Sequence, residues 1–222
     1  MSQSTSVAQP EESAASPDRR ERQRARKRQE LVDATRAVIG RKGLEGATIA
    51  DITEEADVGF GTFYTYFETK DDAVRSLVDD TLHQLNEQNR QLLERTSDPA
   101  ELLALALANT ITLPDRDPVT AACITRMVFS EDRKMFTELG RSLRFAIDWG
   151  AGEGRFADRG KRMVGLILGS SVIGFLRART SVGQPMGREA EEAFLANLLR
   201  VVGVADDDAW RLASDALESV SR

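Results

Sequence analysis

Two helix-start signals near the N-terminus leave little freedom for the chain between them. Thr48 is followed three residues on by Asp51, and Thr69 in the same way by Asp72. In this arrangement a hydroxyl and a carboxylate satisfy backbone N–H groups that the first turn of a helix leaves unpaired. The first signal opens a short helix from Ile49 to Ala56. The second opens a longer one at Lys70, whose Val74, Leu77, Val78, Leu82 and Leu85 recur at helical spacing. Between them, ADVGFGTFYTYFE has room only for a tight turn and a helix of about two turns, which is helix-turn-helix spacing.

A third helix precedes this pair. Leu31, Val32, Thr35, Val38 and Ile39 fall on one helical face and predict a helix from about Asp18 to Arg41 or Lys42. Cations in its last turn suit the negative end of the dipole, and Gly43 can take a left-handed C-cap. Ile49, Ile52, Ala56, Val58, Phe63 and Phe67 are the expected contact among the three helices. Phe60, Gly61, Thr62, Tyr64, Thr65 and Tyr66 are then left on the other surface. Small residues there let the backbone approach a groove, and hydroxyls donate to phosphates. Taken alone, Tyr64 and Tyr66 would read as packing aromatics; the capped helix, the tight turn and the basic stretch upstream favour the exposed reading.

Charge is distributed unevenly. The chain carries 30 Lys plus Arg against 36 Asp plus Glu, a net charge of -6, which argues against coating nucleic acid through charge alone. Yet DRRERQRARKRQE, from Asp18 to Glu30, holds six Arg and one Lys against three acids, while residues 71–222 hold 19 basic and 24 acidic side chains. A basic arm precedes an acidic body. A charge run by itself is a solvated helix face; next to a helix-turn-helix it reads as a phosphate-neutralising arm.

These residues resemble the tetracycline-repressor (TetR) family of bacterial transcriptional regulators. The resemblance spans about Arg28 to Val78, with TIADITEEADVGFGTFYTYFETKDDAV at its centre, where Gly61, Thr62, Phe63, Tyr64, Tyr66, Phe67 and Lys70 fall in register. Thr53, Asp57 and Gly59 depart from the pattern, which usually has Ala, Gly and Ser there. Asp can enter the left-handed region and Gly is a slightly weaker N-cap. The resemblance implies that Phe60, Gly61 and Thr62 face bases, that Tyr64 and Tyr66 reach phosphates, and that Thr48 and Lys70 clamp the DNA backbone. The arm, around Arg22, Arg24, Arg26, Lys27 and Arg28, is a separate expectation, directed at backbone or minor groove.

The rest of the chain predicts helices over about 70–96, 98–112, 117–129, 131–149, 158–179, 188–203 and 206–220, with Asp98-Pro99 and Asp117-Pro118 as explicit starts. The expected fold is all-α. A disordered tail (1–17) and a three-helix DNA-binding head (18–69) precede a larger helical effector-binding and dimerisation domain (70–222). The uncharged run Met163 to Leu176 is shorter than the roughly 20 residues a bilayer needs and reads as a buried helix. Apolar residues crowd it on more than one side. Ile167, Ser171, Gly174 and Phe175, with Phe194, Leu198 and Val202 further on, are therefore expected at a symmetric dimer interface, the alternative being the centre of a monomeric core.

The family usually carries an effector pocket among its middle helices. Leu103, Leu107, Ile111, Met127, Phe129, Phe136, Leu139, Leu143 and Trp149 are the candidate lining for a lipophilic effector, with Asn109, Thr112, Arg126 and Arg144 as polar anchors; each can equally be core or surface. The single Cys, Cys123, and the single His, His83, exclude a disulfide framework and a multi-ligand Cys/His metal cluster. No metal, cofactor or catalytic residue is assigned. The expected partners are double-stranded operator DNA, a second copy and a small molecule, in the cytoplasm, with no membrane. An enzyme and a helical interaction protein are the competing classes.

Overall fold

The computed structural model describes residues 17–127, 141–157, 160–181 and 186–221. Apart from Pro17, the expected tail lies outside them. Among the described residues every regular element is helical. The first helix, α1 (Pro17–Gly46), starts on a proline, whose missing N–H has no partner to lose at a helix start. It breaks at Gly43, whose φ of 73° and ψ of 165° suit only a residue without Cβ. Lys42 therefore ends the regular helix, as predicted, and one further turn leads to Ala47.

The short helices α2 (Ile49–Glu55) and α3 (Phe60–Tyr66) follow, then the long α4 (Lys70–Leu92). Both reciprocal caps form: Thr48 N donates to Asp51 Oδ2 at 3.1 Å and Asp51 N to Thr48 Oγ1 at 3.2 Å, and Thr69 and Asp72 exchange the same pair at 2.9 and 3.1 Å. In the turn, Asp57 takes a φ of 49°, the left-handed conformation for which Asp substitutes for Gly. Leu31, Val38, Ile52, Phe63, Phe67, Val74 and Leu77 are buried together and hold α1 to α4 as one unit.

Beyond the head, α5 (Pro99–Ile111) is capped by Asp98, which accepts from Ala100 N at 2.9 Å. Almost every residue of α5 is buried, so it forms the axis of the body. Around it pack α8 (Arg141–Gly152), α10 (Arg188–Val201) and α11 (Asp206–Val220). Gly150 is required by a close approach, since a Cβ there would lie 2.2 Å from the Phe156 ring. Arg155 then joins Asp98 at 3.2 Å and also Asp208, tying the start of α5 to the start of α11. The short α6 (Leu113–Arg116) was not expected; Pro114 restarts the chain as a single turn after Thr112 closes α5.

Helix α7 (Pro118–Met127) leans on α1 and α4, and α9 (Lys161–Ser181) runs alongside it. The reading of 163–176 as a buried helix needs correction. Met163, Leu166 and Ile167 are 56, 48 and 45% exposed, whereas Leu168, Val172 and Leu176 are in the core. One face is buried and the opposite face is apolar and free. By length and composition alone, residues 161–180 suffice to cross a membrane; here their inner face is part of the helical core.

Candidate nucleic-acid interface

Capping and core residues together set the orientation of α3. Phe63 is fully buried and Phe67 nearly so, their ring centroids 5.7 Å apart, which anchors the inner face of α3 to α1 and α4. With seven residues in the helix, fixing that face fixes the other. Phe60 is 53% exposed, Gly61, Tyr64 and Thr65 are exposed, and Thr62 and Tyr66 are half-buried, Tyr66 leaning on the head's core. The Thr65 hydroxyl donates to the Gly61 carbonyl at 2.8 Å, within its own helix. Gly59 caps α3 without a side-chain bond, and Thr53 fits the close contact of α2 by burying its methyl and donating to Ala50 O at 2.9 Å.

The flanking groups divide into two sets. Thr48 keeps an exposed hydroxyl that donates to Asp51 Oδ2 at 2.8 Å. Lys42, 2.6 Å from Asp51 Oδ1, holds that carboxyl below its usual range. Lys70 is turned inward, its ammonium donating to Leu44 O at 2.8 Å and Ala47 O at 3.0 Å. Two of its three donors thus bind the frayed end of α1, and one is left for a phosphate. Arg28 is also drawn in, donating to Ser76 Oγ with its guanidinium 5.5 Å from the centre of the Phe67 ring. Neither contact was visible from the residues' own surroundings in the chain.

The basic arm is helical. Residues 19–26 are exposed throughout, whereas Arg28 already packs on the head, so that stretch continues the helix roughly 12 Å beyond the core at about 1.5 Å per residue. Arg24 and Arg26 are exposed, as are Arg19, Arg20 and Arg22 further out; Arg19 and Arg20 belong to the same basic run and extend the site named from sequence. Lys27 and Arg26 both reach Glu30, at 2.8 and 3.2 Å, and the Lys27 contact chiefly lowers the Glu30 pKa.

The expected effector lining is divided by the fold. Leu103, Leu107 and Ile111 are fully buried along α5, with Leu143 and Trp149 of α8 in the same cluster. Met127 lies elsewhere, with Ile39, Leu44, Val74 and Val119 in an open cleft of about 1060 Å³ between the end of α1, the start of α4 and α7. Phe129, Phe136 and Leu139 lie outside the described residues. Of the polar candidates, Asn109 donates to Asn89 at 3.2 Å in the interior, Thr112 donates to Ala108 O at 2.8 Å, Arg126 pairs with Glu45 on the surface, and Arg144 is exposed.

The residues expected at a dimer interface also separate. Ile167 and Gly174 are exposed and Ser171 is half-buried. Phe175, Leu198 and Val202 are inside the protomer, with Phe175 stacked on the half-buried Phe194 at 4.3 Å. The free face of α9 is instead Met163, Leu166, Ile167, Ser170 and Gly174, which recur at helical spacing; on α10 Val201 is also exposed. Cys123 is fully buried, and burial pushes its thiol up to about 11; His83 is exposed.

Residues 31–77 match the family described as bacterial regulatory proteins, tetR family, and residues 98–215 match the tetracyclin repressor-like C-terminal domain. The HTH-type transcriptional repressor KstR of Rhodococcus jostii is 26% identical over 113 residues, covering 51% of this chain and 52% of that protein. The chain thus spans about half the length of the curated relatives it matches. A solved structure of RolR in complex with resorcinol is 25% identical, covers 87% of this chain and 96% of its own, and superposes with a TM-score of 0.70. The regulator FadR from Bacillus subtilis in complex with stearoyl-CoA shares the fold at 17% identity, with a TM-score of 0.62 over 85% of this chain and 98% of its own.

Proposed function

This chain belongs to the TetR family of bacterial regulatory proteins, and on that premise we propose that it is a cytoplasmic, sequence-specific transcriptional regulator, in the first instance a repressor. Two copies joined through the free faces of α9 and α10 bind a pseudo-palindromic operator. A small, lipophilic molecule bound in the body releases it. The observation that carries this reading is the surface of α3: its inner face is locked into the head's core, and its outer face presents Phe60, Gly61, Thr62 and Tyr64.

In this mechanism α3 enters the major groove, and Tyr64, Tyr66, Thr48 and the remaining donor of Lys70 hold phosphates on either side. Arg24, with Arg19 and Arg20, adds a salt-sensitive contact from the arm, whereas Arg26, Lys27 and Arg28 contribute less because Glu30, Ser76 and Phe67 already engage them. RolR in complex with resorcinol supports a small-molecule effector in a body of this shape. Effector and operator must then oppose each other by the same factor.

Selection of bound fragments from genomic DNA by the purified full-length protein, followed by footprinting, tests the proposal. The expected result is a pseudo-palindrome with half-sites roughly 10 base pairs apart or a multiple of that. Absence of any enriched sequence, or protection of a single half-site by a monomer, refutes it.

A further inference from the structure

We infer that Phe60 reads the 5-methyl group of a thymine in each operator half-site; this rests on the reading that α3 occupies the major groove. Phe60 is the first residue of α3 and is 53% exposed. The head's ring contacts run from Phe63 to Tyr64 and Phe67, and among the described residues Phe60 is not part of them. The ring at the tip of the reading helix therefore has apolar surface still to bury, which a complex would stabilise.

Its neighbours point the same way. Gly59 and Gly61 flank the ring, and neither is required by the fold: Gly59 has a φ of -77°, Gly61 is helical, and a Cβ at either would meet nothing within 4 Å. Glycine weakens a helix relative to alanine. Bare backbone on both sides of one large apolar side chain lets that side chain lie flat on a surface at close range. The groove floor offers such a ring one distinctive partner. Base edges in the major groove present hydrogen-bond donors and acceptors that a phenyl group cannot use, and the thymine methyl is the apolar mark among them. Thr62 and Tyr64 carry the nearby hydroxyls, so polar reading and phosphate contact fall to them and apolar reading to Phe60.

The test uses the full-length dimer and its selected operator. Each thymine is replaced by deoxyuridine, which removes the methyl alone, at symmetry-related positions in both half-sites, and equilibrium binding is measured. One symmetric position should weaken binding about fifteenfold, the product of roughly fourfold per buried methyl. Phe60→Ala should weaken binding to the thymine operator and abolish the difference between thymine and uracil, whereas Phe60→Leu should retain part of it. Because the ring is exposed, both variants should keep the wild-type melting temperature. A uracil series without effect at any position, or a Phe60→Ala protein that still discriminates uracil, overturns the inference and leaves operator binding intact. Failure of the wild-type protein to select any operator overturns the DNA-reading function itself, and this inference with it.

Discussion

Gly61→Ala separates what the fold requires from what DNA docking requires. Gly61 is the second residue of α3, is helical, and has open space where a Cβ would stand. Alanine there removes backbone freedom from the unfolded chain and should stabilise the protein by about 0.5–1 kcal/mol. For a chain of this size that is a rise in melting temperature of about 1–4 °C. If α3 lies on the groove floor, the same methyl must be accommodated against base edges, and forcing an extra carbon into a closed contact costs about 1–3 kcal/mol. The operator complex of a dimer meets that cost twice, so affinity should fall by roughly thirtyfold or more. Thermal unfolding of the free protein and titration of fluorescent operator measure the two effects separately. A variant that is stabilised and binds operator like the wild type would show that the backbone does not approach the DNA here. A destabilised variant would contradict the open space beside Gly61.

Ile167→Glu puts a carboxylate in the middle of the exposed stripe on α9; an unpaired charge in a closed interface costs roughly 3–5 kcal/mol, so sedimentation velocity should show a dimer for the wild type and a folded monomer for the variant, and operator protection should disappear with the dimer. Removing residues 1–26 should lower operator affinity and flatten the plot of log affinity against log salt by about 0.9 for each phosphate that the arm no longer neutralises; an unchanged slope means that the arm does not touch DNA. Burial pushes the Cys123 thiol up from 9.0 to about 11, so the folded state favours the protonated form. The stability from this group is complete below pH 9 and falls as pH rises from 9 through 11, by about 2–3 kcal/mol at 1.36 kcal/mol per unit. Chemical denaturation at pH 8 and pH 11 should show that loss in the wild type and a smaller one in Cys123→Ala, and iodoacetamide should label Cys123 only upon unfolding.

Features of the fold that depend on a few neighbouring residues were legible in the sequence. Thr48 with Asp51, Thr69 with Asp72 and Asp98 before Pro99 announce helix starts because a cap is closed within one turn, and each forms the bonds its chemistry predicts. The burial of Phe63 and the exposure of Phe60 follow from the period of a helix whose ends those caps define. Interactions between residues distant in sequence were not legible. Nothing near Lys70 in the chain shows that it donates to the carbonyls of Leu44 and Ala47, and the same holds for Arg28 with Ser76 and Phe67. Periodicity marks Phe175, Leu198 and Val202 as apolar without telling a protomer's own core from a surface offered to a second copy. Met127 lies apart from the other described candidates for an effector lining for a related reason: Met127 and Leu107 share a residue class, but one belongs beside the head and the other to the axis of the body.

The hydrophobic cluster that packs α1 to α4 together continues past the helix start at Lys70. Leu113, Ala121, Cys123 and Ile124 are buried with Leu31, Val74 and Leu77, and Ile173 of α9 joins them. Arg36 of α1 pairs with Asp117, which also accepts from Thr120 N at the start of α7 at 3.0 Å, and Arg126 at the other end of α7 pairs with Glu45. Helix α7 is thus fixed to α1 at both ends by charge and along its length by packing. Helix α9 meets three environments: Ile173 in the head's cluster, Leu168, Val172 and Leu176 in the body's, and Ile167 on the free face. Close-packed interiors yield little to local strain and pass it on. If a rearrangement occurs around α9, Ile173 and α7 are the contacts that would carry it to α1 and α4, and α3 would follow because Phe63 and Phe67 are buried in that same cluster.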